Sequence, residues 1–146
     1  MGATQATVAM RAIVDAGPLV ALLDRSEQRH VWVRERLAEL QQPLLICEAV
    51  LSETLHIVRR SDAWGVLFNF IDRGALRIAF GMEGEVPALR RLHERYGDQP
   101  MSLADACIVR MAEIFDDHAV FTFDSDFFVY RKHGRAPLTL IHPAVQ

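Results

Sequence analysis

Apolar residues fall along this chain in two alternating rhythms. Short unbroken runs ("AIV", "LLIC", "ALRIAF", "AVFTF") are rich in β-branched and aromatic residues. They read as strands buried on both faces. Between them come stretches whose apolar residues return every three or four positions, the spacing of one helix face. "RAIVDAGPLVALLD" predicts a strand over Arg11 to Val14, punctuation at Gly17 and Pro18, and a turn or two of helix in "LVALLD". "SEQRHVWVRERLAELQ" predicts a helix with Ser26 as N-cap and Val33, Leu37 and Leu40 inward; Pro43 ends it. "EAVLSETLHIVRR" puts Val50, Leu51, Leu55 and Val58 on one broad face, and "SDAWGVLFNFIDRG" is a further helix stopped by Gly74. Residues 85 to 96 are an amphipathic helix and "GDQPM" a loop. "SLADACIVRMAEIF" is apolar on most sides, so it belongs at the centre. "DSDFFVYRKHG" reads as a short helix or loop, and "PLTLIHP" as a last strand. Strands alternating with helices predict an α/β fold: a mostly parallel sheet sandwiched between two helical layers.

The chain's 146 residues suit one domain, and at 51% apolar content it can fill a core. Formal net charge is -3, so no basic excess announces a nucleic-acid partner. A local basic patch or a bound cation would have to supply that attraction. Cys47 and Cys107 each sit in an apolar stretch without a CxxC, which fits buried thiols in a reducing cytoplasm. No apolar run approaches the roughly 20 residues needed to span a bilayer. Residues 1–9 lack a charged n-region and read as a flexible leader, with Met10 as an alternative start.

In open α/β sheets, ligands bind beyond the carboxyl ends of the strands. Asp15 directly follows "AIV"; Glu48 and Glu53 lie on the helix after "LLIC"; Asp105 is in the first turn of the central helix; Asp124 and Asp126 follow "AVFTF". Each acid has a plain structural explanation. Asp105 stands three residues after Ser102, a capping-box spacing, and Asp124 and Asp126 suit a helix cap. Asp15 suits a turn and Glu53 a solvated helix face. Together, however, four remote segments deliver acids to one sheet edge. Their repulsion in a cleft calls for a divalent cation, and all-oxygen ligands favour Mg²⁺ or Mn²⁺, whose usual counter-ligand is a phosphate. The six histidines show no ligand spacing, and the chain has no Gly-rich phosphate loop.

"IVDAGPLVALLD", "EAVLSETLHIV", "SLADACIVRMAE" and "VFTFDSDFF" resemble, in order and rough spacing, the four acidic blocks of the PIN-domain nucleases, and most of all the VapC-like toxins of prokaryotic type II toxin–antitoxin systems. The likeness spans roughly residues 11 to 142. It implies a single PIN-like domain at 10–146; the leader at 1–9 has no counterpart in the family. Asp15, Glu53, Asp105 and Asp124 would be catalytic, with Asp15, Asp105 and Asp124 holding Mg²⁺ or Mn²⁺. Asp126, Thr122 and Ser102 would assist. Gly17 departs from the pattern, since Ser or Thr is frequent there. The implied activity is endoribonuclease cleavage, with RNA as substrate, a small cognate antitoxin as inhibitor, and a homodimer as the common state. A catalytically silent PIN-like module that binds RNA or protein is the competing reading, and a small Mg²⁺ enzyme acting on phosphorylated metabolites a third. Arg131, Lys132 and Arg135 of "YRKHGR", with Arg59 and Arg60, are the cations expected to meet RNA phosphates. Among Trp32, Trp64, Phe68 and Phe70, some are expected in the core and some at a partner surface.

Overall fold

The apolar runs become the strands of one parallel sheet. A computed structural model describes residues 10–145; the leader expected at 1–9 lies outside them. The main strands are β1 (Arg11–Val14), β2 (Leu44–Ile46), β3 (Leu76–Ile78) and β4 (His118–Phe121). The helices are α1 (Ala16–Leu23), α2 (His30–Ala38), α3 (Glu48–Ile57), α4 (Ala63–Asp72), α5 (Val86–Arg95) and α6 (Leu103–Ile114). A two-stranded hairpin follows, β5 (Arg131–Lys132) with β6 (Ala136–Pro137), and then β7 (Leu140–Ile141). The sheet order is β3-β2-β1-β4-β7, and every pairing in it is parallel. This is the α/β/α sandwich that the alternating pattern predicts.

Strand order decides where a site can form. The chain leaves β1 toward β2 and β3 on one side, then returns to add β4 and β7 on the other. Helices flanking β1 and β4 therefore diverge, and a crevice opens beyond the carboxyl ends of those two strands. Ile13 aligns with Val120 and Val14 with Phe121, so both strands end level. The backbone N–H of Asp15 still donates to the Phe121 carbonyl at 2.9 Å, which holds the chain flush at the mouth.

The core explains why these runs are strands. Ile13, Ile46, Val120 and Phe121 are fully buried, and α6 buries Ala104 through Val109 together with Met111 and Ala112. Cys47 and Cys107 are free thiols within it. Trp32 packs edge-on to Phe121, whereas Trp64 and Phe68 remain exposed on α4.

Three local readings differ from the structure. Gly17 and Pro18 do not interrupt the first helix but form its first turn after the Asp15 N-cap. A proline so close to a helix start loses no bond, because the first N–H groups have no intrahelical partner. Ser26 is not an N-cap: α2 begins at His30, and the Ser26 N–H and hydroxyl both donate to Asp24 Oδ1 in the preceding turn. Lastly, "PLTLIHP" is divided. Pro137 belongs to the hairpin, and only Leu140 and Ile141 join the sheet. His133 (φ 51°) and Gly134 (φ 75°) both take the left-handed conformation, as a tight hairpin turn requires.

Candidate active site

Asp15 leaves β1 in extended conformation and caps α1. Its Oδ1 accepts the Ala16 N–H at 2.8 Å, and its Oδ2 accepts the Thr122 hydroxyl at 2.7 Å. Thr122 in turn accepts the Asp124 N–H at 2.9 Å. One buried hydroxyl thus ties the ends of β1 and β4 together. Asp15 is only 8% exposed. Burial pushes its carboxyl up to about 6, the hydrogen bonds from Thr122 and Ala16 counteract, and the charges of Asp105 and Glu53 add to the rise.

Asp105 has two functions at once. Ser102 caps α6 by accepting the Asp105 N–H at 3.0 Å, and Asp105 Oδ2 reciprocates to the Ser102 N–H at 3.4 Å. The capping box is real, and it also fixes the carboxylate beside the crevice. Oδ2 further accepts the Tyr130 hydroxyl at 3.1 Å. Both bonds fall on the same oxygen, which leaves Oδ1 without a hydrogen-bond donor among the described residues. Burial raises the Asp105 pKa above the usual carboxylate range, the bonds from Ser102 and Tyr130 oppose this, and Asp124 adds repulsion.

Asp124 begins a short 3₁₀ turn (Ser125–Phe128), its Oδ1 accepting the Asp126 N–H at 2.9 Å. The helix-cap explanation therefore holds here too. The same turn swings Asp126 back toward the cleft. One ligand oxygen each from Asp105, Asp124 and Asp126 lies within 4.8 Å of the others, which is the spacing of a shared cation. Desolvation and the neighbouring Asp124 raise Asp126 as well.

Glu53 projects from α3, one residue before Thr54, whose hydroxyl is buried against the Val50 carbonyl. Glu53 is exposed, yet its pKa is raised by partial burial and by the charges of Asp105 and Asp124. Asp15, Glu53, Asp105, Asp124 and Asp126 thus share one electrostatic neighbourhood. Burial heads the causes of every rise there, and the neighbouring carboxylates add to each. No arginine, lysine or histidine of the described residues forms an ion pair with any of the five. An all-oxygen donor set with uncompensated charge fits a hard divalent cation.

Two features were not legible beforehand. Tyr130 is fully buried, stacked edge-on against Tyr96 and Phe127. Its hydroxyl bond to Asp105 makes it part of the site, and nothing in "FFVYRK" distinguishes it from a core aromatic. Gly17 has a steric reason: a Cβ there would lie 2.9 Å from Phe123 Cδ2. The hydroxyl at Asp15 comes from Thr122 instead.

The expected RNA-facing cations are mostly engaged. Arg131 Nη1 donates to the carbonyls of Phe128, Val129 and Tyr130. Lys132 Nζ pairs with Asp116 at 2.8 Å, and Arg60 pairs with Asp62. Arg59 and Arg135 are exposed and make no ion pair among the described residues. No described helix is long and apolar enough to cross a membrane.

Compared with known proteins, residues 12–132 match the family model of the PIN domain. The chain is also similar to "Ribonuclease VapC26" of Mycobacterium tuberculosis (strain ATCC 25618 / H37Rv): 26% identical over 133 residues, which covers 88% of this chain and 98% of that protein.

Proposed function

This chain belongs to the PIN-domain family, and from that premise we propose that it is a Mg²⁺- or Mn²⁺-dependent endoribonuclease, the toxin of a type II toxin–antitoxin pair. The observation that carries the reading is the convergence of acids from four remote segments at the β1/β4 crevice, three of them with ligand oxygens within 4.8 Å. Similarity to a protein named as a ribonuclease supports RNA as the substrate.

Asp105, Asp124 and Asp126 would hold the cation, with Asp15 beside them directly or through water. When bound, such an ion supplies Lewis acidity toward a water and toward phosphoryl oxygens. The protein's part is placement. Thr122 locks Asp15 and the start of the Asp124 turn in one geometry. Ser102 and Tyr130 occupy one oxygen of Asp105, which leaves the other free to act as a ligand. Glu53, the most open acid, orients the attacking water by accepting one of its protons in a hydrogen bond. No protein nucleophile is needed for in-line hydrolysis of a phosphodiester. All four family acids are present, which disfavours a silent binding module.

Antitoxin docking is assigned to the groove between α3 and α4. Leu51, Leu55, Trp64, Phe68 and Ile78 line it, and Trp64 is 62% exposed. A short amphipathic segment would cover these residues and approach the cleft along α3. We place the toxin in the cytoplasm, acting as a homodimer.

The test is direct. The purified chain should cut structured RNA with Mg²⁺ or Mn²⁺ and stop with EDTA. Asp124→Asn should lower kcat/KM by at least about a hundredfold, the scale on which catalytic electrostatics act, with unchanged circular dichroism. Full activity in EDTA, or in the Asp124→Asn variant, would overturn the assignment.

A further inference from the structure

A second polar pocket, of about 190 Å³, lies between α5, α6 and the β5–β6 hairpin. Its polar lining is Arg91 and Arg95 from α5, Arg110 and Glu113 from α6, and His133 and Gly134 from the hairpin turn. Three arginines against one glutamate make it positive in a chain whose net charge is -3. The glutamate is already engaged. Its Oε1 accepts from Arg110 at 3.3 Å, and its Oε2 accepts the His133 N–H at 2.6 Å, which pins the hairpin onto α6. Arg110 is braced further by Glu85 at 2.6 Å. Arg91 and Arg95 form no ion pair among the described residues. They stand one helical turn apart on the same face.

The pocket is built around Arg95. Gly134 (φ 75°) has no side chain, and a Cβ there would fall 1.5 Å from Arg95 Nη1. The guanidinium lies in the space that the missing side chain leaves. Two guanidinium groups that form no ion pair among the described residues, beside Ala88 and Leu92, suit an oxyanion with several acceptor oxygens. Asp105 sits in the first turn of α6, and Arg110 and Glu113 lie about 7.5 and 12 Å further along the same helix at 1.5 Å per residue. The cleft and the pocket are thus both served by α6.

We propose that the Arg91–Arg95 pocket is a phosphate subsite that grips the RNA strand outside the cleft. The inference rests on the ribonuclease reading and supplies the attraction that the acidic cleft itself lacks. The sequence directed attention to "YRKHGR" for this role, but Arg131 and Lys132 are bound internally, which leaves Arg135 of that stretch and, on α5, Arg91 and Arg95 without an ion pair among the described residues.

The test uses the full chain in EDTA, where binding proceeds without cleavage, and a labelled single-stranded oligoribonucleotide read by anisotropy across a KCl series. The double variant Arg91→Ala, Arg95→Ala should bind about tenfold more weakly. Its log K against log salt should flatten by about 1.4, two contacts at about 0.7 each for a single strand. With Mn²⁺ present, KM should rise while kcat holds. Gly134→Ala, which keeps every charge but displaces Arg95, should move affinity the same way. Inorganic phosphate, as competitor, should displace RNA only at concentrations far above those of the oligonucleotide. Unchanged affinity and slope in the double variant, while wild type binds and cuts RNA, would sink the pocket and leave the ribonuclease standing. Wild type that neither binds nor cuts RNA would remove both. Displacement by phosphate at concentrations matching RNA would reassign the pocket to a free anion.

Discussion

Replacing Asp15 by Asn should stabilise the metal-free protein at neutral pH. Asp15 is 8% exposed, and its carboxyl is pushed from an ordinary 3.8 up to about 6. A raised carboxyl pKa means that the folded state binds its proton more tightly than the unfolded state. Below pH 4 the group is protonated in both states and costs nothing. Between pH 4 and 6 the folded state loses ground progressively, and above 6 the penalty is constant. The shift of roughly two units corresponds to about 3 kcal/mol at 1.36 kcal/mol per unit. Sharing of charge with Asp105 and Glu53 lowers the expected figure to about 2 kcal/mol. Asparagine keeps the shape and an acceptor for the Ala16 N–H. Its amide would face Thr122 Oγ1, which must turn from donor to acceptor; that rearrangement costs about 1 kcal/mol at every pH.

Urea unfolding of both proteins in EDTA, from pH 4 to pH 8, separates the two effects. The stability of Asp15→Asn minus that of wild type should rise by about 2 kcal/mol across pH 4 to 6 and then level off. Mn²⁺ should reverse the order, because a ligand that binds only the folded state stabilises it by about 1.4 kcal/mol at ten times its Kd. Wild type should gain this and the variant much less. A difference that stays flat with pH would refute the premise that burial and neighbouring carboxylates strain this site.

Two further substitutions probe the supports of the cluster. Tyr130→Phe deletes the 3.1 Å bond to Asp105 while keeping the ring; Mn²⁺ affinity, followed by electron paramagnetic resonance, should weaken about tenfold or more, the usual effect of losing a ligand's hydrogen-bond partner. Unaltered affinity would reduce Tyr130 to a packing residue. Gly17→Ser restores the more frequent family residue but forces a Cβ to within 2.9 Å of Phe123 Cδ2. It should destabilise by about 1–3 kcal/mol as an overpacked site, and Phe123→Ala in the same chain should recover much of that loss; an additive double mutant would show the contact to be harmless.

What the sequence by itself determined is the periodic and the local. Alternating apolar runs and helical faces are enough for a parallel sheet between helices, because burial on both sides of a strand leaves no polar alternation. Ser102 with Asp105 three residues on was legible as a capping box, and Asp124 as a cap, because both depend on neighbours in the chain. That Asp15 meets the carboxyl end of β4 was settled by strand order: β1 and β4 lie side by side only after the chain has crossed to β3 and back. The Thr122 bond to Asp15 and the Tyr130 bond to Asp105 join residues far apart in the chain, so no spacing announces them. The basic residues teach the same lesson in reverse. "YRKHGR" looks like a free cationic loop, but folding brings Asp116 and three carbonyls to its Lys132 and Arg131, while its Arg135, and Arg91 and Arg95 on α5, form no ion pair among the described residues. A charge's partners are a property of the tertiary structure, because Coulombic pairing depends on distance in space and not along the chain.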